Sequence, residues 1–117
     1  MSKVKISVGG EIERDATRRF TDAWNRAKRG EKFQEHHLVF ESWDSLARVL
    51  TAKRMELLRH VRRHKVESVR ALSKALKRDY SNVHADVQAL ANAGLLELSD
   101  AGGMRADYDA IETKIAI

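Results

Sequence analysis

The chain has 117 residues, of which 43% are hydrophobic and 33% charged, with a net charge of +5. That is the size of one domain, with apolar residues enough for a modest core under a heavily solvated surface. Absence of cysteine excludes disulfides, thiolate metal ligands and thiol-based sensing. No run approaches the ~20 apolar residues of a membrane span, and Met1 to Arg29 holds no continuous apolar stretch for a signal peptide, so a cytoplasmic location without membrane association is expected. Positive charge is concentrated in residues 51–94, with ten Lys/Arg against four Asp/Glu, whereas residues 95–117 hold two against five. A segment of that kind suits a surface that faces phosphates.

From the N-terminus, Val4, Ile6 and Val8 alternate with Lys3, Lys5 and Ser7, the period of a half-buried strand, and Gly9-Gly10 ends it. From Glu11 to Arg29, the residues Ile12, Ala16, Phe20, Ala23, Trp24 and Ala27 fall on one helical stripe, and Gly30 is placed to stop the helix. His36 to Glu41 reads as a second strand, with His37, Val39 and Glu41 opposite Leu38 and Phe40. Ser42 can cap a short helix through Trp43, Leu46, Ala47, Val49 and Leu50. Residues 1–50 thus read as a strand-helix-strand-helix unit too small to bury much surface alone. Its stripe, with Ile12, Phe20 and Trp24 as the large residues, is expected to form a homodimer.

The second half is punctuated more sharply. Thr51 can cap a helix to about His64 with Met55, Leu57, Leu58 and Val61 inward. Ser68 can cap a shorter one through Val69, Leu72, Ala75 and Leu76. Asp79 can cap a third through Val83, Val87, Leu90 and Ala91, closed by Gly94 in the left-handed conformation. Leu95 to Ser99 alternates as a strand, Asp100-Ala101-Gly102-Gly103 supplies turn chemistry, and Met104 to Tyr108 can return. Ile111, Thr113, Ile115 and Ile117 alternate with Glu112, Lys114 and Ala116 as a last strand.

Three helices followed by a glycine-containing hairpin is the order of a winged helix-turn-helix. The segment VRALSKALKRDYSNVHADVQALANAGLLEL, Val69 to Leu98, resembles the helix-turn-helix and wing entry of MarR/ArsR-like regulators, through Ala75, Leu76, Val83, Val87, Leu90, Gly94 and Leu95. Together with FESWDSLARVLTAKRMELLRHV it is similar to a subgroup of predicted regulators, some suspected of acting as antitoxins. Ala52 departs from the pattern, where proline would follow the capping Thr51. The resemblance covers roughly Phe40 to Ile117 and implies that residues 51–117 are a winged helix-turn-helix, three helices plus a hairpin wing. With residues 1–50 as the strand-helix-strand-helix dimerising unit read above, the whole chain is expected to be α+β.

On that reading, the third helix of the bundle enters the major groove of double-stranded DNA, and Tyr80, Ser81, Asn82, His84, Ala85 and Gln88 face the bases. Asn82 and Gln88 can each pair with adenine through two hydrogen bonds, and Ala85 can touch a thymine methyl. Ser68, Lys74, Lys77 and Arg78 suit phosphates that fix register. Arg105, just past the glycine pair, is the wing's cation for a minor groove. The expected function is a sequence-specific DNA-binding regulator, a repressor acting as a homodimer. The rival readings are a protein-interaction module that neutralises a toxin, with the acidic C-terminal strand meeting a basic partner, and an RNA-binding winged helix.

Other chemistry is weakly signalled. Glu56, His60 and His64 share a helical face at spacings that can hold zinc, but Arg59, Arg62, Arg63 and Lys65 crowd it with positive charge. His36 and His37 point to opposite sides of a strand. Gly9-Gly10 lacks the remaining spacing of a nucleotide fingerprint, and no paired carboxylates or nucleophile elbow stand out. No metal, no cofactor and no enzymatic activity are expected.

Overall fold

A computed structural model describes residues 2–9 and 35–117. The helix expected over Glu11–Arg29, and with it Ile12, Phe20 and Trp24, lies outside the described residues. The described chain is α+β and divides into two units, Met1–Ser45 with Tyr108–Ile117, and Leu46–Asp107.

The first unit contains β1 (Lys3–Val8), β2 (Glu35–Phe40) and a C-terminal strand, Ala110–Ile115, which is the fifth in chain order and is called β5. The three form one sheet in the order β2-β1-β5, with both neighbours parallel to β1. The register sets Val4, Ile6 and Val8 beside His36, Leu38 and Phe40 on one side and beside Ile111, Thr113 and Ile115 on the other. One face of the sheet is therefore mostly apolar. The opposite face carries Lys3, Lys5, Ser7, His37, Glu112 and Lys114, with Lys3 Nζ 3.3 Å from Glu112 Oε1. Central position buries Val4, Ile6 and Val8 to 2% exposure or less, whereas Ile115 at the edge stays 46% exposed. The short helix α1 (Trp43–Val49) follows β2, its first turn held by Ser42 Oγ accepting from the Ser45 N–H at 3.2 Å.

The C-terminal strand corrects the expected division at residues 50 and 51. Its alternation marks a strand but names no partner, and a parallel partner more than a hundred positions away leaves no local trace. Residues 108–117 belong with the N-terminal sheet, not with the hairpin before them.

The second unit contains α2 (Ala52–Arg63), α3 (Val69–Leu76), α4 (Tyr80–Asn92) and a hairpin of β3 (Glu97–Leu98) and β4 (Met104–Arg105). Each helix starts where a short polar side chain satisfies an otherwise orphaned N–H. Thr51 accepts from Arg54 at 3.3 Å, Ser68 from Ala71 at 3.0 Å and Asp79 from Asn82 at 3.2 Å. Each such cap contributes about 1 kcal/mol. The core gathers Leu57, Leu58 and Val61 from α2, Leu72 from α3, and Val83, Val87 and Leu90 from α4, with Leu95, Leu96, Met104 and Ala106 below them.

Two helix ends share one hydrogen-bond pattern. After α4 the Leu95 N–H reaches Leu90 O at 2.9 Å and the Gly94 N–H reaches Ala91 O at 3.1 Å, with Gly94 at a φ of 86°. After α3 the Arg78 N–H reaches Ser73 O at 3.0 Å and the Lys77 N–H reaches Lys74 O at 3.2 Å. There the left-handed position is Lys77, at a φ of 55°, where a side chain costs about 1–2 kcal/mol relative to glycine. The strained lysine makes the α3–α4 connection short enough for Asp79 to cap the next helix at once.

The hairpin is tied at its tip. The Ser99 N–H donates to Gly103 O at 2.9 Å, the Gly102 N–H to Ser99 O at 3.0 Å, and the Gly103 N–H to Ser99 Oγ at 2.9 Å. Gly102 sits at a φ of 95°, a region L side chains avoid. Met104 also bridges Val66 in antiparallel fashion, through its N–H to Val66 O at 3.1 Å. The strand expected from Leu95 to Ser99 shortens to Glu97–Leu98 and does not alternate. Leu95 and Leu96 are both buried as the chain leaves α4, and Leu98 is exposed. In α3, Ser73 rather than Ala75 takes the buried place, its hydroxyl donating to Arg70 O at 2.8 Å.

Candidate nucleic-acid interface

On α4 the three valine and leucine positions that face the core, Val83, Val87 and Leu90, are fully buried. Helical spacing then turns Tyr80, Ser81, Asn82, His84, Ala85 and Gln88 outward, and all six are exposed. Tyr80 and His84 lie one turn apart with ring centroids at 6.0 Å, and the Arg70 guanidinium of α3 sits 5.2 Å from the Tyr80 ring centroid. Arg70 thus joins this surface, although its place on α3 gave the sequence reading no reason to single it out. The only sequence trace of this contact is a basic residue two positions after a helix cap, with an aromatic at the start of the next helix.

The expected phosphate residues fall into two groups. Lys74 and Lys77 are exposed at the end of α3 and in the turn. Ser68 spends its hydroxyl on the α3 cap. Arg78 is turned inward: its Nη2 lies 2.7 Å from Asp86 Oδ2, while Arg54 Nε reaches Asp86 Oδ1 at 2.9 Å. Burial pushes the Asp86 carboxyl up, and the hydrogen bonds and charges of Arg54 and Arg78 more than offset it, holding it below the ordinary carboxylate value. Arg54 also donates to the Arg48 and Val49 carbonyls at the end of α1, at 2.8 and 3.1 Å. Asp86 therefore ties α4 to α2 and to the turn before it, a role its position on a polar helix face did not reveal.

Arg105 is 70% exposed but occupied, with Nη2 2.9 Å from Glu97 Oε2 and Nε 3.3 Å from Asp107 Oδ2. The Glu97 hydrogen bond and the two neighbouring carboxylates raise its pKa further above the ordinary arginine value. These pairs also use the acidity expected to meet a basic partner: Glu97 and Asp107 answer Arg105, and Glu112 answers Lys3.

The His60 and His64 rings stack at 4.4 Å, and desolvation first, then repulsion from His64, lowers the His60 pKa. Among the described residues no group of three His, Asp or Glu side chains comes together to hold a metal, and no helix is long and apolar enough to cross a membrane.

Residues 49–113 match the family model HVO_A0114, which covers more than half of the chain. The chain belongs to the HVO_A0114 family. The matched span takes in α2, α3, α4, the hairpin and the first part of β5, so the HVO_A0114 unit includes the candidate surface and reaches into the strand that pairs with β1. No curated protein and no solved structure matches the chain.

Proposed function

We propose that residues 51–107 are a winged helix-turn-helix of the MarR/ArsR-like kind, and that the protein is a homodimeric transcriptional regulator that binds double-stranded DNA at specific sequences. In this reading α3 and α4 are the helix-turn-helix and the β3–β4 hairpin is the wing. One observation carries it: α4 presents Tyr80, Ser81, Asn82, His84, Ala85 and Gln88 outward while its packing rests on Val83, Val87 and Leu90. A helix fits the B-DNA major groove, and amide side chains near its start read adenine there. Lys74 and Lys77 flank that face as exposed cations, and Arg70 stacks on its first aromatic residue. The wing contributes little positive charge, since Arg105 is shared between two carboxylates. Base reading is therefore assigned to α4 and phosphate contact to the α3–α4 turn.

The test is selection of binding sites from a random duplex pool, followed by affinity measurements on the enriched site and on random DNA. Asn82→Ala should cost roughly 1–3 kcal/mol on the enriched site and little on random duplex. Failure to enrich any sequence, or equal losses on both, would overturn the reading.

A further inference from the structure

The edge of the N-terminal sheet carries a sequence that is its own complement. β5 pairs with β1 on one side, and on its other side no strand lies beside it among the described residues. The Ala116 N–H donates to Val8 O at 3.1 Å. In a parallel ladder the bonding groups alternate with a period of two. Glu112 and Lys114 therefore also direct their backbone groups to β1, leaving those of Ile111, Thr113 and Ile115 aimed at the open side. An open row of this kind is a template for another strand, and β5 holds no proline or glycine to blunt it.

From Ala110 to Ala116 the residues read Ala-Ile-Glu-Thr-Lys-Ile-Ala. About Thr113 this order is symmetric in size and opposite in charge. We infer that β5 pairs antiparallel with β5 of a second copy of this chain, with the two-fold axis at Thr113. In that register Ile111 faces the partner's Ile115, Thr113 faces the partner's Thr113, and Glu112 faces the partner's Lys114. The three odd positions, whose backbone groups point outward, become the hydrogen-bonded pairs. Glu112 and Lys114 become the intervening pairs, in which side chains approach more closely and opposite charges attract.

Faces match as well. Ile111 and Ile115 extend the apolar face of the sheet, and Ile115 is 46% exposed without a partner. Glu112 is already held by Lys3 at 3.3 Å, but its side chain keeps 55% exposure, room for a second cation. Lys114 is exposed on the same polar face. A register slipped by one residue would set isoleucine beside a charge on both faces, so the pairing is specified by side chains and not by backbone alone. The assembly is read from the sheet without reference to DNA, so it and the DNA reading can fail separately.

The experiment is sedimentation equilibrium of the full chain without DNA, with circular dichroism to check folding of each variant. The wild type should be a dimer at micromolar concentration. Lys114→Glu and Glu112→Lys should each raise the dissociation constant by about tenfold or more, since two attractive pairs become repulsive. The exchanged variant carrying both substitutions should regain dimerisation, and an equimolar mixture of the two single variants should form heterodimers in preference to homodimers. Thr113→Pro removes an outward N–H without touching the ladder to β1 and should leave folded monomers. A wild type that is monomeric at high micromolar concentration overturns the proposal. So does a dimer whose constant is unmoved by either charge reversal and by Thr113→Pro, and so does a mixture that shows no heterodimer preference.

Discussion

Removing the Asp86 carboxylate isolates the contribution of the ion network that joins α4 to α2 and to the turn before it. In Asp86→Ala, Arg54 and Arg78 lose their shared partner while their side chains keep only 18% and 17% of their surface exposed. Truncating one partner of a fully buried pair costs about 3–5 kcal/mol, because the charge left behind is uncompensated. Here both guanidinium groups retain some water, and Arg54 keeps its bonds to the Arg48 and Val49 carbonyls. An expected loss of about 2–4 kcal/mol follows, a large part of the ~5–15 kcal/mol that holds a domain folded. Urea unfolding at pH 7, followed by helical circular dichroism, measures it. The pH dependence supplies a second check. Asp86 has a depressed folded pKa, so its contribution is fully present above the ordinary carboxyl value near ~4 and is lost as pH falls through the lower folded value. The deficit of Asp86→Ala relative to wild type should therefore be constant at neutral pH and shrink in acid. A loss under about 1 kcal/mol, or a deficit that grows on acidification, would refute this account of the network.

Three further outcomes are expected. Lys77→Gly should stabilise the fold by about 1 kcal/mol by relieving the left-handed φ of 55°, whereas Lys77→Ala should give no such gain; thermal melts of the pair decide it. Lys74→Ala and Lys77→Ala should each flatten the salt dependence of duplex binding by about one unit, while Arg78→Ala should destabilise the protein and leave the slope alone, as binding titrations across salt concentrations would show. Burial pushes the Tyr108 phenol up to about 12, so ultraviolet titration should find it ionising later than an exposed tyrosine. Its folded pKa is the raised one, so its contribution is whole below the unfolded value near ~10 and is lost as pH climbs through the folded value. Stability should decline across that alkaline window, and Tyr108→Phe should remove the decline.

What the sequence made legible is what is decided within a few residues. Thr51, Ser68 and Asp79 each read as caps because the hydroxyl or carboxylate needs only an N–H three positions on, and each makes that bond. Lys3 to Val8 read as a strand because alternate burial leaves period two in the letters, and Gly94 read as a stop because a left-handed turn favours glycine. The outward set on α4 followed from the inward set by geometry alone. Contacts between distant positions were not legible. Asp86 is 32 residues from Arg54, and nothing local distinguishes a network carboxylate from a solvated one. For the same reason Arg78 read as a phosphate contact, and β5 as part of the hairpin domain. The end of α3 after Leu76 was legible, but the left-handed backbone of Lys77 was not, since a lysine at a position suited to glycine gives no signal.

Charge tallied along a sequence overstates what is free to meet an anion, and the cations of residues 51–94 show by how much. Arg54 and Arg78 answer Asp86, so part of the excess is spent holding α4 in place. Outside that span Arg105 is spent the same way on Glu97 and Asp107. What remains beside the outward face of α4 is Lys74, Lys77 and Arg70, all exposed, and none with a carboxylate partner among the described residues. The helix itself is divided along its circumference. Val83, Val87 and Leu90 pack, Asp86 anchors, and Ser81, Asn82 and Gln88 stand exposed. Surface side chains away from such anchors change stability by no more than about 0.5 kcal/mol. Substitutions at those three positions should thus leave the fold unaltered, so any change they bring to duplex binding tests the proposed recognition face directly.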